Sequence, residues 1–195
     1  MGNTVFIKTY STTKRSKIQV VGSITVVSFN ETFHEDTGMY EYVECSVNTE
    51  NFDYNSVCTA YEEWKQERND AQLLFAKQQK LAEIDAYDQS PAVNGFMLNG
   101  ATVWLDKSTR VGLMNSTTIT KAMGQLTTTL WLGESKMEVP CDTAIQLLSA
   151  LEMYALECFN VTAAHKVAVS ELGSIEEVEK YDITAGYPAQ LRMEV

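Results

Sequence analysis

The sequence predicts an α+β fold in three parts: a small antiparallel β module over 1–54, a long linking helix over 55–90, and a C-terminal domain over 91–195 of two β-hairpins covered by two helices. Short alternating runs rich in Thr, Val, Ile, Tyr and Phe fill the first fifty or so positions. A stretch of Glu, Gln, Lys, Ala and Leu without Gly or Pro follows, and the second half then repeats a hairpin-then-helix order twice.

In the β module the runs Thr4 to Tyr10, Lys17 to Val21, Ile24 to Phe29 and Met39 to Val47 read as strands. Turns are marked by Lys14-Arg15-Ser16, by Val21-Gly22-Ser23 and by His34 to Gly38, the last a hairpin loop that pairs the third and fourth strands antiparallel. From Ser56 to Tyr87 the texture predicts a helix about 45 Å long, at 1.5 Å per residue. Val57, Tyr61, Trp64, Arg68, Ala71, Phe75, Gln78 and Ala82 advance by alternate fours and threes, a coiled-coil seam interrupted by Arg68 and Gln78. Asn55 or Ser56 is available to cap the start. Asp88-Gln89-Ser90-Pro91 ends the helix, because the residue before a proline is pushed out of the α region, and a domain boundary is placed near 88–92.

Beyond it, Asn99-Gly100 turns a hairpin between Phe96 and Leu105, and Asp106 offers a side-chain oxygen to the free amides of a helix from Lys107 to about Met123, closed by Gly124. Thr127 to Leu132 and Lys136 to Val139 form a second hairpin turned by Gly133-Glu134-Ser135. Pro140 and Asp142 open a long helix to about Leu172, stopped by Gly173, and Ser174 to Glu177 spell a capping box for a last short helix. The two hairpins are expected to share one small sheet. Trp104 and Trp131 are expected in the core, with Trp131 packed on Tyr154; Leu130 and Leu132 are the alternative inward pair.

A hydrophobic share of 45% can bury a core, and a net charge of −11 spread over both halves repels phosphate over most of the surface. Nucleic acid and anionic membranes are therefore not expected as partners. No apolar run approaches the roughly 18 residues of a membrane span, and Met1 to Lys8 carries no basic-then-apolar leader. Cys45, Cys58, Cys141 and Cys158 are widely spaced, with no CxxC and no nearby histidine pair, and read as free thiols, mostly buried.

Catalytic chemistry finds little footing. There is no GxGxxG, GxxxxGK[ST], GxSxG or HExxH. His34 and His165 are the only histidines; Glu157, Val161 and His165 share one helix side, but no second Glu-x-x-His repeats the pattern a di-metal site wants. Cys158 and His165 lie about 10 Å apart along their helix, too far for proton transfer. His165 is expected instead to prolong the buried stripe Ile145, Leu148, Leu151, Tyr154, Cys158 and to bond a neighbouring loop or strand end. No catalytic residue, cofactor or metal is expected, and the chain is not expected to be an enzyme. The candidate contact residues are Tyr61, Trp64, Phe75 and Trp131.

Ile84 to Asp88, Val93-Asn94-Gly95-Phe96, Trp104 to Leu113, Thr129 to Gly133 and Leu151 to Lys166 occur in that order between about Glu83 and Pro188. This series resembles a domain-of-unknown-function family found in tail-fibre and tail-accessory proteins of tailed bacteriophages and prophages of gut bacteria. Residues before 55 fall outside it, and it brings no catalytic residues. The resemblance implies a non-enzymatic structural or adaptor component of the virion tail or tail fibre, made in the host cytoplasm and acting through other virion proteins, the long helix spacing the two halves. A homo-oligomer is expected from the helix seam. The alternatives are a tail-fibre assembly chaperone and a carbohydrate-binding module on the N-terminal sheet.

Overall fold

Four β-rich runs become β1 (Phe6–Ser11), β2 (Ile18–Val21), β3 (Ile24–His34) and β4 (Met39–Asn48). In this computed structural model, which describes residues 4–132 and 135–194, they form one antiparallel sheet in the order β1-β4-β3-β2. The β3–β4 hairpin forms as expected, with Gly38 in the left-handed region at φ +65°. β3 runs past Phe29 to His34 through an irregularity between Phe29 and Thr32, where Asn30 stands at φ +52°, and pairing with β4 resumes at Thr32.

Helix α1 (Tyr54–Asp88) follows. Its cap is neither Asn55 nor Ser56: the Asp53 carboxylate accepts the Ser56 amide at 2.9 Å, the N-cap-to-N3 reach for which a short acidic side chain is suited. Contacts divide the chain inside α1, into a unit ending at Gln72 and a unit beginning at Leu73, so the helix expected over 55–90 contributes to both. In the first unit Phe6, Val27, Val43 and Cys45 pack on Val57 and Tyr61 of α1. On the opposite sheet face Glu44 is buried, held by two Arg15 Nη1 contacts of 2.8 and 2.7 Å and by the Ser28 hydroxyl at 2.8 Å.

The second unit contains the one-turn α2 (Pro91–Asn94), β5 (Phe96–Leu98), β6 (Ala101–Val103), α3 (Lys107–Ala122), β7 (Thr127–Leu132), β8 (Ser135–Pro140), α4 (Cys141–Glu171), α5 (Ile175–Lys180) and β9 (Arg192–Met193). Asn99 and Gly100, at φ +49° and +81°, make the expected hairpin turn, and Ser174 with Glu177 makes the expected capping box. Gly133 and Glu134 of the second expected turn lie outside the described residues.

Three expectations are corrected here. The hairpins do not share a sheet: β6-β5-β9 is one sheet and β7-β8 another, because β9 takes the free edge of β5 in parallel. In β7 it is Leu130 and Leu132, each 1% exposed, that enter the core, and Trp131 at 58% stays out. A strand's side chains alternate between faces, so one inward face takes either two leucines or one tryptophan, and the leucines won. For the same reason Trp104 is 48% exposed between the buried Val103 and Leu105. The core receiving these residues is the stripe of α4 that includes Ala144, Leu148, Leu151, Tyr154 and Cys158.

Candidate functional site

The start of α3 and the middle of α4 leave between them a groove of about 430 Å³ in the second unit. The strand-like segment ahead of α3 turns Leu105 inward, which leaves Trp104 on the groove's apolar wall with Leu156 and Phe159 of α4. These three side chains are 48, 49 and 64% exposed, a concentration of apolar surface that the core does not consume.

The floor is polar and fixed. Arg110, buried on α3, donates from Nε to Glu152 Oε1 at 2.8 Å and from Nη1 to the Leu105 carbonyl at 2.7 Å. One guanidinium thereby ties the loop before α3 to α4. Asp106 caps α3, accepting the Thr109 amide at 2.9 Å and the Thr109 hydroxyl at 2.7 Å. The Ser108 hydroxyl, then those Thr109 donors, hold the Asp106 carboxyl well below the usual range. Asp88 and Asn94 close one end, with Asp88 accepting the Thr162 hydroxyl at 2.7 Å.

Behind the groove the α4 side chains are locked. Tyr154 and Cys158 both donate to the Val93 carbonyl, at 2.8 and 3.2 Å. Burial pushes the Tyr154 phenol up to about 12 and raises the Cys158 thiol, so both stay protonated at neutral pH. His165 is buried as expected; its Nε2 meets the Ala185 carbonyl at 2.9 Å and its Nδ1 the Tyr181 hydroxyl at 2.8 Å, which fastens the segment after α5 to α4. Among the described residues no group of three or more His, Cys, Asp or Glu is placed to hold a metal ion. No helix among them is long and apolar enough to cross a membrane.

Of the four expected contact residues the structure brings together Tyr61 and Trp64, whose rings stack at 5.8 Å, and leaves Phe75 and Trp131 apart from them. Tyr61 is 8% exposed in the core of the first unit and stacks on Phe29 at 4.1 Å between ring centres, and the half-buried Trp64 packs against that core, 5.5 Å from Phe6. Phe75 is 61% exposed on α1, and Trp131 stands out from β7. Sequence reasoning passed over Arg110, Leu156 and Phe159. The available signal was an arginine sharing one side of α3 with Leu113, Met114 and Thr117, at helical spacings of three and four.

Residues 75–185, more than half of the chain, match the family model described as Domain of unknown function (DUF4376), and the chain belongs to that family. The match starts within α1, contains the whole groove and stops short of β9. No curated protein matches the chain, and no solved structure does.

Proposed function

We propose that this chain is a non-enzymatic structural or adaptor component of a phage or prophage particle, associated with the tail or tail fibre, which works through protein–protein contacts. The observation that carries the contact reading is the open apolar wall of Trp104, Leu156 and Phe159 beside a rigid polar floor, all inside the family-matched segment. A preformed groove with aromatic anchors and a few fixed polar groups suits the docking of a protein side chain. The phage assignment rests on the ordered resemblance between Glu83 and Pro188. The net charge of −11 disfavours nucleic acid as the partner.

Mass spectrometry of purified particles tests the assignment, and several copies per virion are expected. A chain abundant in the assembling cell but missing from finished particles would identify an assembly chaperone instead. Absence from both the particles and their assembly intermediates would overturn the proposal.

A further inference from the structure

The groove between α3 and α4 has spent most of its hydrogen-bond donors on the chain itself. Arg110 gives Nε to Glu152 and Nη1 to the Leu105 carbonyl, and the Asn94 amide goes to the Asp88 carbonyl. The Ser108 and Thr109 hydroxyls go to Asp106 and the Thr162 hydroxyl to Asp88. Acceptors remain: among the described residues, one carboxylate oxygen of Asp88 and one of Glu152 take no hydrogen bond. Asp106, held well below the usual carboxylate range by Ser108 and Thr109, is a fixed negative charge at neutral pH.

We propose that this groove takes an arginine side chain of a partner protein, the guanidinium lying against the Trp104 ring and donating to the groove's carboxylates. The inference rests on the reading of the groove as a protein-contact site and names the chemistry of that contact. A guest here must bring donors, since acceptors are what the groove has to spare. A sugar hydroxyl wants a donor as well as an acceptor, and an anion wants donors alone. Guanidinium brings five N–H groups and no acceptor, in a planar fork that matches a carboxylate and stacks on an indole face. Its methylene stem is apolar, and the exposed Leu156 and Phe159 are placed to cover it.

The charge of the site agrees. Asp88, Asp106 and Glu152 line the groove against Arg110 and Lys107. Arg110 is committed to Glu152 at 2.8 Å, so an entering cation meets Asp88 and Asp106 opposed by Lys107 alone. Lys107 is exposed at the first position of α3, on a flexible stem that can swing into water as the guest arrives. The net charge of −11 draws basic partner surfaces toward the chain.

Titration of the full, isotope-labelled chain with the blocked tripeptide acetyl-Gly-Arg-Gly-amide, followed by two-dimensional NMR, tests this. The Trp104 indole and the backbone amides at the start of α3 and the middle of α4 should move, with a Kd on the order of millimolar, as suits one side chain. The matching Glu tripeptide should move none of them, and the Lys tripeptide should bind more weakly. Asp88→Asn, which keeps an acceptor for Thr162, and Glu152→Gln should each weaken binding about threefold. Lys107→Gln should strengthen it, the sign that an anion-binding groove would reverse. Leu126→Ser, far out in solvent at 84% exposure and outside the groove, should change nothing. No shift at about 20 mM peptide, equal binding of the Glu or Lys tripeptide, or indifference to Asp88→Asn, Glu152→Gln and Lys107→Gln would each overturn the proposal. So would tighter binding of free arginine than of the blocked peptide, which would mark a small-molecule site, or shifts of the same signals by maltose. None of these outcomes alters whether the chain is found in virions, so the two readings fail separately.

Discussion

Arg110 on α3 reaches both Glu152 on α4, at 2.8 Å, and the Leu105 carbonyl, at 2.7 Å, so one buried guanidinium joins the two helices and the loop that carries Trp104. The two ends of the pair differ in environment: the Arg110 side chain is 10% exposed and that of Glu152 is 36%.

That asymmetry gives the first prediction. Arg110→Met keeps the apolar stem but leaves both Glu152 and the Leu105 carbonyl without their donor, and should cost about 2–4 kcal/mol. Glu152→Gln keeps an acceptor at the partly exposed end and should cost about 1 kcal/mol or less. Urea midpoints of the two variants measure the difference; equal losses would show that the Leu105 carbonyl does not depend on Arg110.

The orientation of β7 makes the second prediction. Leu130→Ala removes a side chain that is 1% exposed among Leu148, Leu151 and their neighbours, and should cost about 2–4 kcal/mol. Trp131→Ala truncates a ring that is 58% exposed and should cost under about 1 kcal/mol. Denaturant midpoints check both, and a reversed order would put the indole in the core after all.

The contrast between these two neighbours shows where sequence reasoning succeeds and stops. Asn99-Gly100, Asp106, Gly124 and the Ser174–Glu177 box were legible because each is a local device, set by backbone angles or by a side chain within three residues. The long α1 and α4 were legible from composition and period. Which face of β7 is inward depends on what α4 brings against it, and Thr129 to Gly133 offers apolar residues on both faces. The parallel pairing of β9 with β5 joins segments 95 positions apart, and a two-residue strand has no period to read. The groove was illegible for the same reason: Trp104, Arg110 and Phe159 come together only through the α3–α4 packing.

The late strand supplies the third prediction. The Leu191 and Met193 carbonyls accept the Met97 and Asn99 amides at 2.8 and 3.0 Å, and both side chains pack against the core of the second unit. Ending the chain after Gln190 should lower stability by about 2–3 kcal/mol through these two bonds and the lost packing. It should also raise aggregation, because β5 then presents an open edge. Thermal midpoint and light scattering of the shortened chain read the two effects.

The last prediction concerns acid. Burial alone would raise the Glu44 carboxyl, but the Arg15 guanidinium, at 2.8 and 2.7 Å, and the Ser28 hydroxyl outweigh it and hold Glu44 below its ordinary value of 4.5. A carboxyl depressed by folding binds fewer protons in the native state than in the unfolded one. Its stabilisation is therefore complete above about pH 4.5, the unfolded value, and is lost as pH falls from there through the folded value. In the first unit this should appear as a loss of stability that steepens below about pH 4.5. Glu44→Gln keeps the shape and an acceptor for Arg15 but cannot titrate, so it should be less stable at pH 7 and lose less between pH 5 and 3. Stability measured by urea across that range, on the wild type and the variant, checks the sign: parallel curves would mean that Glu44 contributes nothing to acid sensitivity, and that the Arg15 contact holds the loop ahead of β2 without charge.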